Sequence, residues 1–528
     1  MSQYNLIDEK WIPVLDLAGN REELGIRDVL LKSENLSRIE DPSPLVTAAL
    51  HRFLLAVLYR ALEGPCDIDA AKKYFREGLP KEKIKTYLKK WYDRFWLFDD
   101  NYPFYQIPSF QPQKWNSWTT IAAEHNANNA KVLFDHIDIN RAGNIRFSKS
   151  VLWLLATQTF ALSAGNSELS YTGNSPSAGA SFVIPIGKNL LDTLVFCLIP
   201  QNKEIMKNDL PVWEREPETL EYLKSTVKVL DKKNGKEKNR AIERSVTGIV
   251  DLYTWRSRSI IFKKSDDVSH IGFASGIGYK ESNIEDPMVA YALVDKKDDK
   301  KNIIKIKQSI HLDDKGIWRD FDSLLPDDSN LVPKVIEHSL SITRNISDRF
   351  PKGILILGQK YNPPRPNIEF WRKEYFILPR LISNDKYIRG DIHSYLEKAE
   401  EISKTLYSAC ATFAQALLAK DQEKRKADKK DVSRFISQMI ALPHYWSTLE
   451  SKFHEILRDY TLEKNPDDIH HDWLVAIRKA ISDAWKLHQR SVSGSDAWGI
   501  RALVKGEDII AKKIIELNQD IQKLKEVV

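Results

Sequence analysis

The spacing of apolar residues predicts helices in the N-terminal part of the chain, and the clearest one covers residues 44–62. There the apolar side chains recur at helical spacing, at Leu45, Ala48, Leu50, Phe53, Leu54, Val57 and Leu58. This is the period of an amphipathic helix. We expect further helices over residues 83–97, 148–164 and 332–348.

Short apolar runs between these helices predict β-strands. Residues 182–186 and 191–199 are strand-like, and residues 249–350 mix short strands with the last of these helices. Residues 109–146 carry repeated Asn and few periodic apolar side chains, which predicts a long loop or several loops. The charged segment 229–243 is predicted as a solvated loop, with a phosphate-binding patch as the alternative.

From about residue 393 the pattern is helical to the end of the chain. One apolar stripe comprises Leu396, Ala399, Ile402, Leu406, Cys410, Phe413, Ala416 and Leu417, and another comprises Trp473, Ile477, Ala480, Ile481, Ala484 and Trp485. The predicted helices lie at about 393–420, 431–462, 470–491 and 502–526. Four amphipathic helices joined by short loops are typical of a four-helix bundle.

Length and composition support an α+β protein with two domains. The chain has 528 residues and a hydrophobic fraction of 42%, enough for sizeable cores. We predict a large mixed N-terminal domain, about 1–385, followed by the C-terminal four-helix bundle, about 393–528. Residues 391–528 carry equal numbers of basic and acidic side chains, so the net charge of +6 lies entirely in residues 1–390. We therefore expect a surface that binds nucleic acid in residues 1–390 rather than in the C-terminal part. The alternative is an ordinary solvated surface.

The cysteines and the apolar segments indicate where the protein works. Cys66, Cys197 and Cys410 are far apart and form no CxxC pair, which excludes a local zinc knuckle and fits a reducing compartment. The N-terminus does not resemble a signal peptide, and the most apolar segments, such as residues 152–162, are too short or too polar to span a bilayer. We expect a soluble, cytoplasmic protein.

No catalytic motif is present. The sequence contains no phosphate-binding P-loop, HExxH, GxSxG or dinucleotide-binding glycine triplet. His470, His471 and Asp472 are adjacent, so on a helix they point about 100° apart, and the position reads as a helix start rather than a metal site. His136 beside Asp135 could act as a base, but no nucleophile accompanies it at a telling spacing. We predict no enzyme activity, no metal and no cofactor.

Two loops could contact nucleic acid. In the first, Phe134 can stack on a base and His136 can bond a groove edge; the alternative is that Phe134 packs in a core and His136 caps a turn. In the second, small residues let the backbone approach a duplex, and a plain turn is the alternative. This second loop comprises Tyr171, Thr172, Gly173 and Asn174.

Two further segments could act on a duplex. Lys280 follows Gly276 and Gly278, and a lysine on a glycine-flexed hairpin can reach into the minor groove. The alternative is a surface lysine without a DNA contact. The other segment is a strand that enters a stiff, proline-rich tip, which could be wedged beneath a base pair or be an ordinary loop. The tip residues are Asn362, Pro363, Pro364 and Arg365.

The opening of the chain and the first loop together resemble a known family. Residues Tyr4 to Val14 read as a strand-like run, a turn at residues 8–10 and a short strand that Pro13 stops. With Leu133-Phe134-Asp135-His136, in this order and at this distance, they resemble the large subunit of the type I-E CRISPR surveillance complex, Cascade (the CasA family). Weaker similarities, such as residues 211–213 and 248–256, extend over nearly the whole chain.

The resemblance implies roles for the four segments. In the family, the loop of Phe134 and His136 approaches the protospacer-adjacent motif (PAM) and the end of the guide RNA. A lysine finger lies near Lys280, and a hairpin wedge splits the DNA beside the PAM. This chain departs from the family in two places. Only Gly173 stands where members often carry a glycine run, and the Asn-Pro-Pro-Arg tip replaces a Gln in the best-known wedge.

The implied function is surveillance of target DNA, in which guide pairing reads the sequence while this subunit reads the PAM and starts unwinding. The implied partners are crRNA, the backbone, small and crRNA 5′-end subunits of Cascade, double-stranded target DNA and the helicase-nuclease recruited after R-loop formation. No cofactor and no membrane are implied. The alternatives are a stand-alone hydrolase that uses His136 or His470, and a purely structural scaffold subunit.

Overall fold

The chain forms two compact units. The computed structural model describes residues 4–125, 141–163, 168–169, 172–230, 237–297, 303–310, 312, 316–325, 331–344, 349–362, 367–379, 386–419, 427–492 and 496–527. The first unit comprises Met1–Asp314 and Pro326–Tyr375, and the second comprises Lys315–Leu325 and Phe376–Val528. The short segment 315–325 therefore belongs with the C-terminal helices, which no sequence pattern indicated.

The first unit is a mixture of helices and small sheets. Its described helices are α1 (Ile26–Leu31), α2 (Pro44–Leu62), α3 (Ile68–Glu77), α4 (Lys81–Lys90), α5 (Phe147–Phe160), α6 (Leu190–Cys197), α7 (Lys203–Asn208), α8 (Leu220–Lys224), α9 (Ile249–Tyr253) and α10 (Lys334–Thr343). Its strands are β1 (Ile12–Asp16), β2 (Arg21–Leu24), β3 (Leu36–Ile39), β4 (Asn116–Ser117), β5 (Phe182–Ile186), β6 (Thr226–Leu230), β7 (Glu237–Ala241), β8 (Glu243–Arg244), β9 (Arg258–Phe262), β10 (His270–Ser275), β11 (Gly278–Tyr279), β12 (Tyr291–Lys297), β13 (Ile303–Ser309), β14 (Gly353–Asn362) and β15 (Asn367–Ile377).

The strands pair into small sheets of two or three. β1 lies between β2 and β3, β10 between β4 and β9, and β14 between β5 and β15. β6 and β7 form an antiparallel pair, as do β12 and β13, whereas β8 and β11 pair in parallel. The charged segment 229–243 is thus not a single loop: Leu230 at the end of β6 lies opposite Glu237 at the start of β7.

Helix α2 lies at the centre of the first unit. Every residue of α2 except Arg60 is buried, as expected for a helix that packs against neighbours on all sides. The Ser43 side chain accepts a hydrogen bond from the Val46 N–H (3.2 Å) and Pro44 occupies the first turn, so the predicted start is confirmed. By length and hydropathy α2 could cross a membrane, contrary to the expectation that no segment would, but 94% of the qualifying window is buried inside the protein.

A buried arginine holds several elements against α2. Arg52 is 1% exposed, and its guanidinium forms an ion pair with Asp286. A second nitrogen donates to the Ser177 hydroxyl oxygen at 3.1 Å. The guanidinium carbon lies 4.4 Å from the ring centroid of Phe182 and 4.2 Å from that of Tyr253. One side chain of α2 thus fixes β5, α9 and two loops.

The opening segment that carries the family resemblance is part of the core. Leu6, Ile7 and Trp11 are fully buried, and the Trp11 indole N–H donates to the Leu6 carbonyl oxygen (2.9 Å). Strand β1 begins at Ile12 and passes through Pro13, so the prediction that Pro13 stops the strand is wrong. Pro13 keeps an extended conformation, and its carbonyl oxygen accepts from the Glu40 N–H (3.0 Å).

Two other predictions differ from the observed elements. Residues 191–199 are predicted as a strand but largely form α6, because a short apolar run fits a buried strand and a buried helix equally well. The Asn189 side chain caps that helix by accepting from the Asp192 N–H (3.0 Å). Helix α4 ends at Lys90 instead of residue 97, and a 3₁₀ turn at Tyr92–Arg94 follows.

The second unit is helical, which confirms the predicted α+β class with a helical C-terminal part. Its described α-helices are α11 (Lys386–Leu418), α12 (Lys429–Ser437), α13 (Ala441–Thr461), α14 (Pro466–Ser491) and α15 (Ala497–Val527). Four are long, but the predicted helix over 431–462 is two helices, α12 and α13. Helix α14 begins after its cap Asn465, so His470–Asp472 lie inside the helix and not at its start. A Cβ atom at Gly506 of α15 would lie 2.3 Å from the Trp485 ring, so this contact requires glycine.

We expect Arg52→Met to lower the free energy of unfolding by about 3–5 kcal/mol. Methionine retains much of the volume but leaves the Asp286 carboxylate buried without its partner. The shift can be measured in the full chain from the urea midpoint. The control Lys32→Met breaks the exposed pair with Asp28 and should change stability by less than about 1 kcal/mol. A parent-like midpoint for Arg52→Met would show that the buried pair contributes nothing net.

Candidate nucleic-acid interface

The loop around Gly173 contacts the strands that lead to Lys280 and to the proline-rich tip. The Thr172 N–H donates to the Ser275 hydroxyl oxygen at the end of β10 (3.3 Å), five residues before Lys280. The Asn174 side chain contacts Tyr361, the residue before Asn362. The predicted site residues Phe134, His136, Tyr171, Pro363, Pro364 and Arg365 lie outside the described residues, as does the side chain of Asn362.

Arg258 at the start of β9 organises this loop. Its side chain is 2% exposed. The guanidinium donates to the Thr172 hydroxyl oxygen and to the Gly173 carbonyl oxygen, both at 3.3 Å, and also to the carbonyl oxygen of Leu162. It therefore ties the end of the α5 segment to the loop that follows. Gln158 of α5 fixes the Arg258 backbone, since it accepts from the N–H and donates to the carbonyl oxygen, each at 2.9 Å.

The side chains of Thr172 and Asn174 are committed to bonds within the protein. Thr172 is buried and its hydroxyl accepts from Arg258. Asn174 uses both ends of its carboxamide: Oδ1 accepts from the Ser163 N–H (2.7 Å), and Nδ2 donates to the Tyr361 hydroxyl oxygen (3.0 Å). Gly173 between them is exposed, and a Cβ atom there would meet no atom of the described residues within 4 Å. A partner can therefore approach the backbone of this loop at Gly173.

Strand β14 lies along the same loop. Gln359 is buried, and its amide group donates to the carbonyl oxygens of Phe160 (2.8 Å) and Ala178 (2.9 Å), which lie on opposite sides of the loop. Tyr361 lies two residues further along, on the same face of the strand. The hairpin is also anchored at its base, since Gly353 to Leu357 pair in antiparallel register with β5.

Lys280 extends from a short strand and not from a flexible hairpin. β11 pairs in parallel with β8, and the Lys280 N–H donates to the Arg244 carbonyl oxygen (2.9 Å). A Cβ atom at Gly276 would lie 2.6 Å from the Arg256 carbonyl oxygen, so this glycine permits close packing, and its φ is not left-handed. The expectation of a glycine-flexed hairpin is thereby corrected. The side chain of Lys280 is exposed.

The backbone that supports Lys280 is itself fixed by charge. The Arg244 guanidinium donates to both carboxylate oxygens of Asp251, at 2.6 and 3.0 Å, and its central carbon lies 4.2 Å from the Trp255 ring centroid. Arg215 also pairs with Asp251, at 3.3 Å. A bidentate pair combined with stacking leaves Arg244 little freedom. The backbone at Lys280 is therefore held in place, while its side chain is exposed.

Sequence reasoning missed the residues that assemble this interface. Arg258 opens the buried strand Arg258–Phe262, which continues with Ser259 and three apolar residues, and a charged residue at such a position was the available signal. Gln158 and Gln359 gave a similar but weaker signal as polar residues within apolar runs. None of these positions reveals its partner, since Arg258 and Thr172 are 86 residues apart.

Of the residues considered for hydrolytic or metal chemistry, those that the structure describes are part of helix α14. His470 of α14 lies against the Tyr395 ring, with 5.5 Å between centroids, and burial lowers the pKa of its imidazole. Within the described part of the chain, no group of three or more His, Cys, Asp or Glu side chains could hold a metal ion. His136 lies outside that part.

Comparisons with known proteins connect this architecture to one family. A family model for the CRISPR-associated protein Cse1 matches residues 5–484, most of both units. The chain belongs to the Cse1 family. The resemblance inferred from the opening segment and the loop at residues 133–136 is confirmed.

Several Cse1 relatives cover the whole chain. The CRISPR-associated protein CasA/Cse1 of Thermus thermophilus is 29% identical over 536 residues, with 99% of each chain covered. The solved structure of Thermus thermophilus CasA (Cse1) matches with a TM-score of 0.78 at 27% identity, over 98% of this chain and 100% of that one. A chain of a structure described as a CRISPR RNA-guided surveillance complex matches with a TM-score of 0.70 at 15% identity, over 97% and 100%, which shows a shared fold.

We expect Arg258→Met to loosen the loop around Gly173. Methionine removes the donors that hold Thr172 and the carbonyl oxygens of Leu162 and Gly173, so backbone amides of residues 172–180 should exchange with deuterium severalfold faster. Mass spectrometry of the full chain measures this. Arg240→Met on β7 is the control and should leave this peptide unchanged. Equal exchange in both variants would mean that the guanidinium does not hold the loop.

Proposed function

We propose that this chain is the large subunit of a type I-E CRISPR RNA-guided surveillance complex. Within the complex it recognises the PAM of double-stranded target DNA, helps to initiate unwinding and R-loop formation, and recruits the helicase-nuclease. Membership of the Cse1 family supports its place in such a complex. The main support for a DNA-binding role is that the loop around Gly173 contacts both the segment leading to Lys280 and the β14–β15 hairpin.

The partners follow from the same proposal. They are crRNA, the backbone, small and crRNA 5′-end subunits, the target duplex and the helicase-nuclease. The chain acts in the cytoplasm, without a membrane, a cofactor or a catalytic step of its own. Guide pairing supplies most of the sequence specificity, so this subunit needs only short-range contacts beside the PAM.

The described residues provide two suitable contacts. The exposed Lys280 extends from a rigid strand pair, and a lysine held in this way can reach acceptors in the minor groove with little loss of backbone entropy. At Gly173 the open space above the backbone lets a phosphate or base edge come close. The excess of basic side chains in residues 1–390 would attract the duplex.

We expect Lys280→Ala to weaken binding of the assembled complex to target duplex by about 1–3 kcal/mol, the scale of a specific base contact. Electrophoretic shifts across all trinucleotide PAMs measure both the affinity and the preference. Lys83→Ala removes the same charge from α4 and serves as the control. If Lys280→Ala changes neither the affinity nor the PAM preference, the lysine finger lies elsewhere. If the parent complex assembles but shows no PAM dependence, this chain is a structural scaffold.

A second prediction concerns the hairpin tip. Replacing Asn362-Pro363-Pro364-Arg365 by a Gly-Ser tip should spare initial PAM binding but slow strand opening, because opening the first base step costs a few kcal/mol and a stiff tip can fill the gap. Fluorescence of 2-aminopurine next to the PAM reports the opening rate.

A target with a pre-opened bubble beside the PAM is the control for this variant. The bubble should restore the parent's rate because the costly step is already complete. Opening of intact duplex at the parent's rate would reduce the hairpin to a surface loop. A slow variant that the bubble does not rescue would assign the tip to binding or assembly.

A further inference from the structure

One face of strand β14 is bonded to the loop around Gly173 at successive positions. Gln359 holds the carbonyl oxygens of Phe160 and Ala178, on opposite sides of the loop, and Tyr361 accepts from the Asn174 side chain in its middle. A Cβ atom at Gly358 would lie 2.7 Å from the Ala180 carbonyl oxygen, so the backbones are also in close contact. The strand and the loop therefore move together or lose these bonds.

Of these bonds, the one between Asn174 and Tyr361 lies nearest in sequence to both Gly173 and the hairpin tip. Asn174 follows the exposed Gly173, and Tyr361 precedes Asn362, where β14 ends and the tip begins. Gln359 is 1% exposed and its bonds belong to the core, whereas Asn174 and Tyr361 are half-buried. A half-buried bond can break and re-form without unfolding the surrounding core.

We propose that Asn174 and Tyr361 are positioning residues that couple the loop contact at Gly173 to the hairpin tip. The inference rests on the proposed function and specifies how one part of the site acts on another. When DNA approaches Gly173, the carboxamide of Asn174 holds Tyr361, and thereby the end of β14 that leads into the tip, in a fixed position. Asn174 contributes through Tyr361 and not through a base.

The hydroxyl group of Tyr361 can be removed without changing its ring. Tyr361→Phe should leave the affinity for a PAM-containing duplex within about twofold of the parent's but slow strand opening about two- to tenfold, the scale of one hydrogen bond. A bubble beside the PAM should restore the rate. Tyr375→Phe on β15 is the matched control, since it removes an exposed hydroxyl from the same hairpin and should have no effect on opening.

A double variant separates coupling from two independent defects. If the bond transmits the effect, Asn174→Ala and Tyr361→Phe remove the same interaction, so the double variant should open DNA no more slowly than the slower single variant. Multiplied defects would overturn the coupling. Parent-like opening in Tyr361→Phe would overturn it as well.

Deuterium exchange of the chain without DNA tests the coupling independently of the proposed function. Tyr361→Phe should increase exchange in the peptide that contains residues 172–180, although the substitution lies in β14, and Tyr375→Phe should not. Unchanged exchange in Tyr361→Phe would overturn the coupling even if the complex reads a PAM. If exchange increases in the Tyr361→Phe chain but the assembled complex shows no PAM dependence, the contact between the loop and β14 stands and the DNA-reading function is rejected.

Discussion

The candidate interface depends on the buried guanidinium of Arg258. A charged group that is almost completely removed from water must find its hydrogen-bond partners within the protein. Here the partners include backbone oxygens of Leu162 and Gly173 and the Thr172 hydroxyl. Loop carbonyl groups usually face solvent, but in this case they turn inward to satisfy the arginine. The start of the loop is consequently shaped by the desolvation of one side chain.

A second buried arginine holds the same loop at its far end. Arg52 of the central helix α2 donates to Ser177 and pairs with Asp286. Residues 172–177 are thus attached at both ends to guanidinium groups that come from different elements of the core. Hydrogen bonds to charged groups are stronger than neutral ones, so this arrangement fixes the loop more firmly than loop packing alone. The exposed Gly173 remains as the point of access between two fixed ends.

The departures from the family pattern have a physical meaning in this arrangement. The family resemblance implies a run of glycines at this place, whereas this chain has Thr172 and Asn174 on either side of Gly173. Thr172 bonds Arg258 and Asn174 bonds Tyr361, which a glycine could not do because it has no side chain. The two polar residues therefore make the backbone here less flexible than glycines would. Gly173 is exposed between these two anchored residues.

The sequence by itself determined the features that depend on local periodicity and local motifs. Helical spacing predicted α2 and most of the C-terminal helices, and two short segments were enough to indicate the family. One of these segments contains Trp11, which is fully buried in the core. Tertiary structure decided the rest. Residues 191–199 were predicted as a strand but largely form α6. The sequence could not show this, because a short run that is buried on all sides has the same apolar pattern in a strand and in a helix. The interface arises from side chains such as Arg258 and Tyr361, whose partners lie far away along the chain, and no local pattern specifies which distant carbonyl or carboxamide a buried polar group will meet.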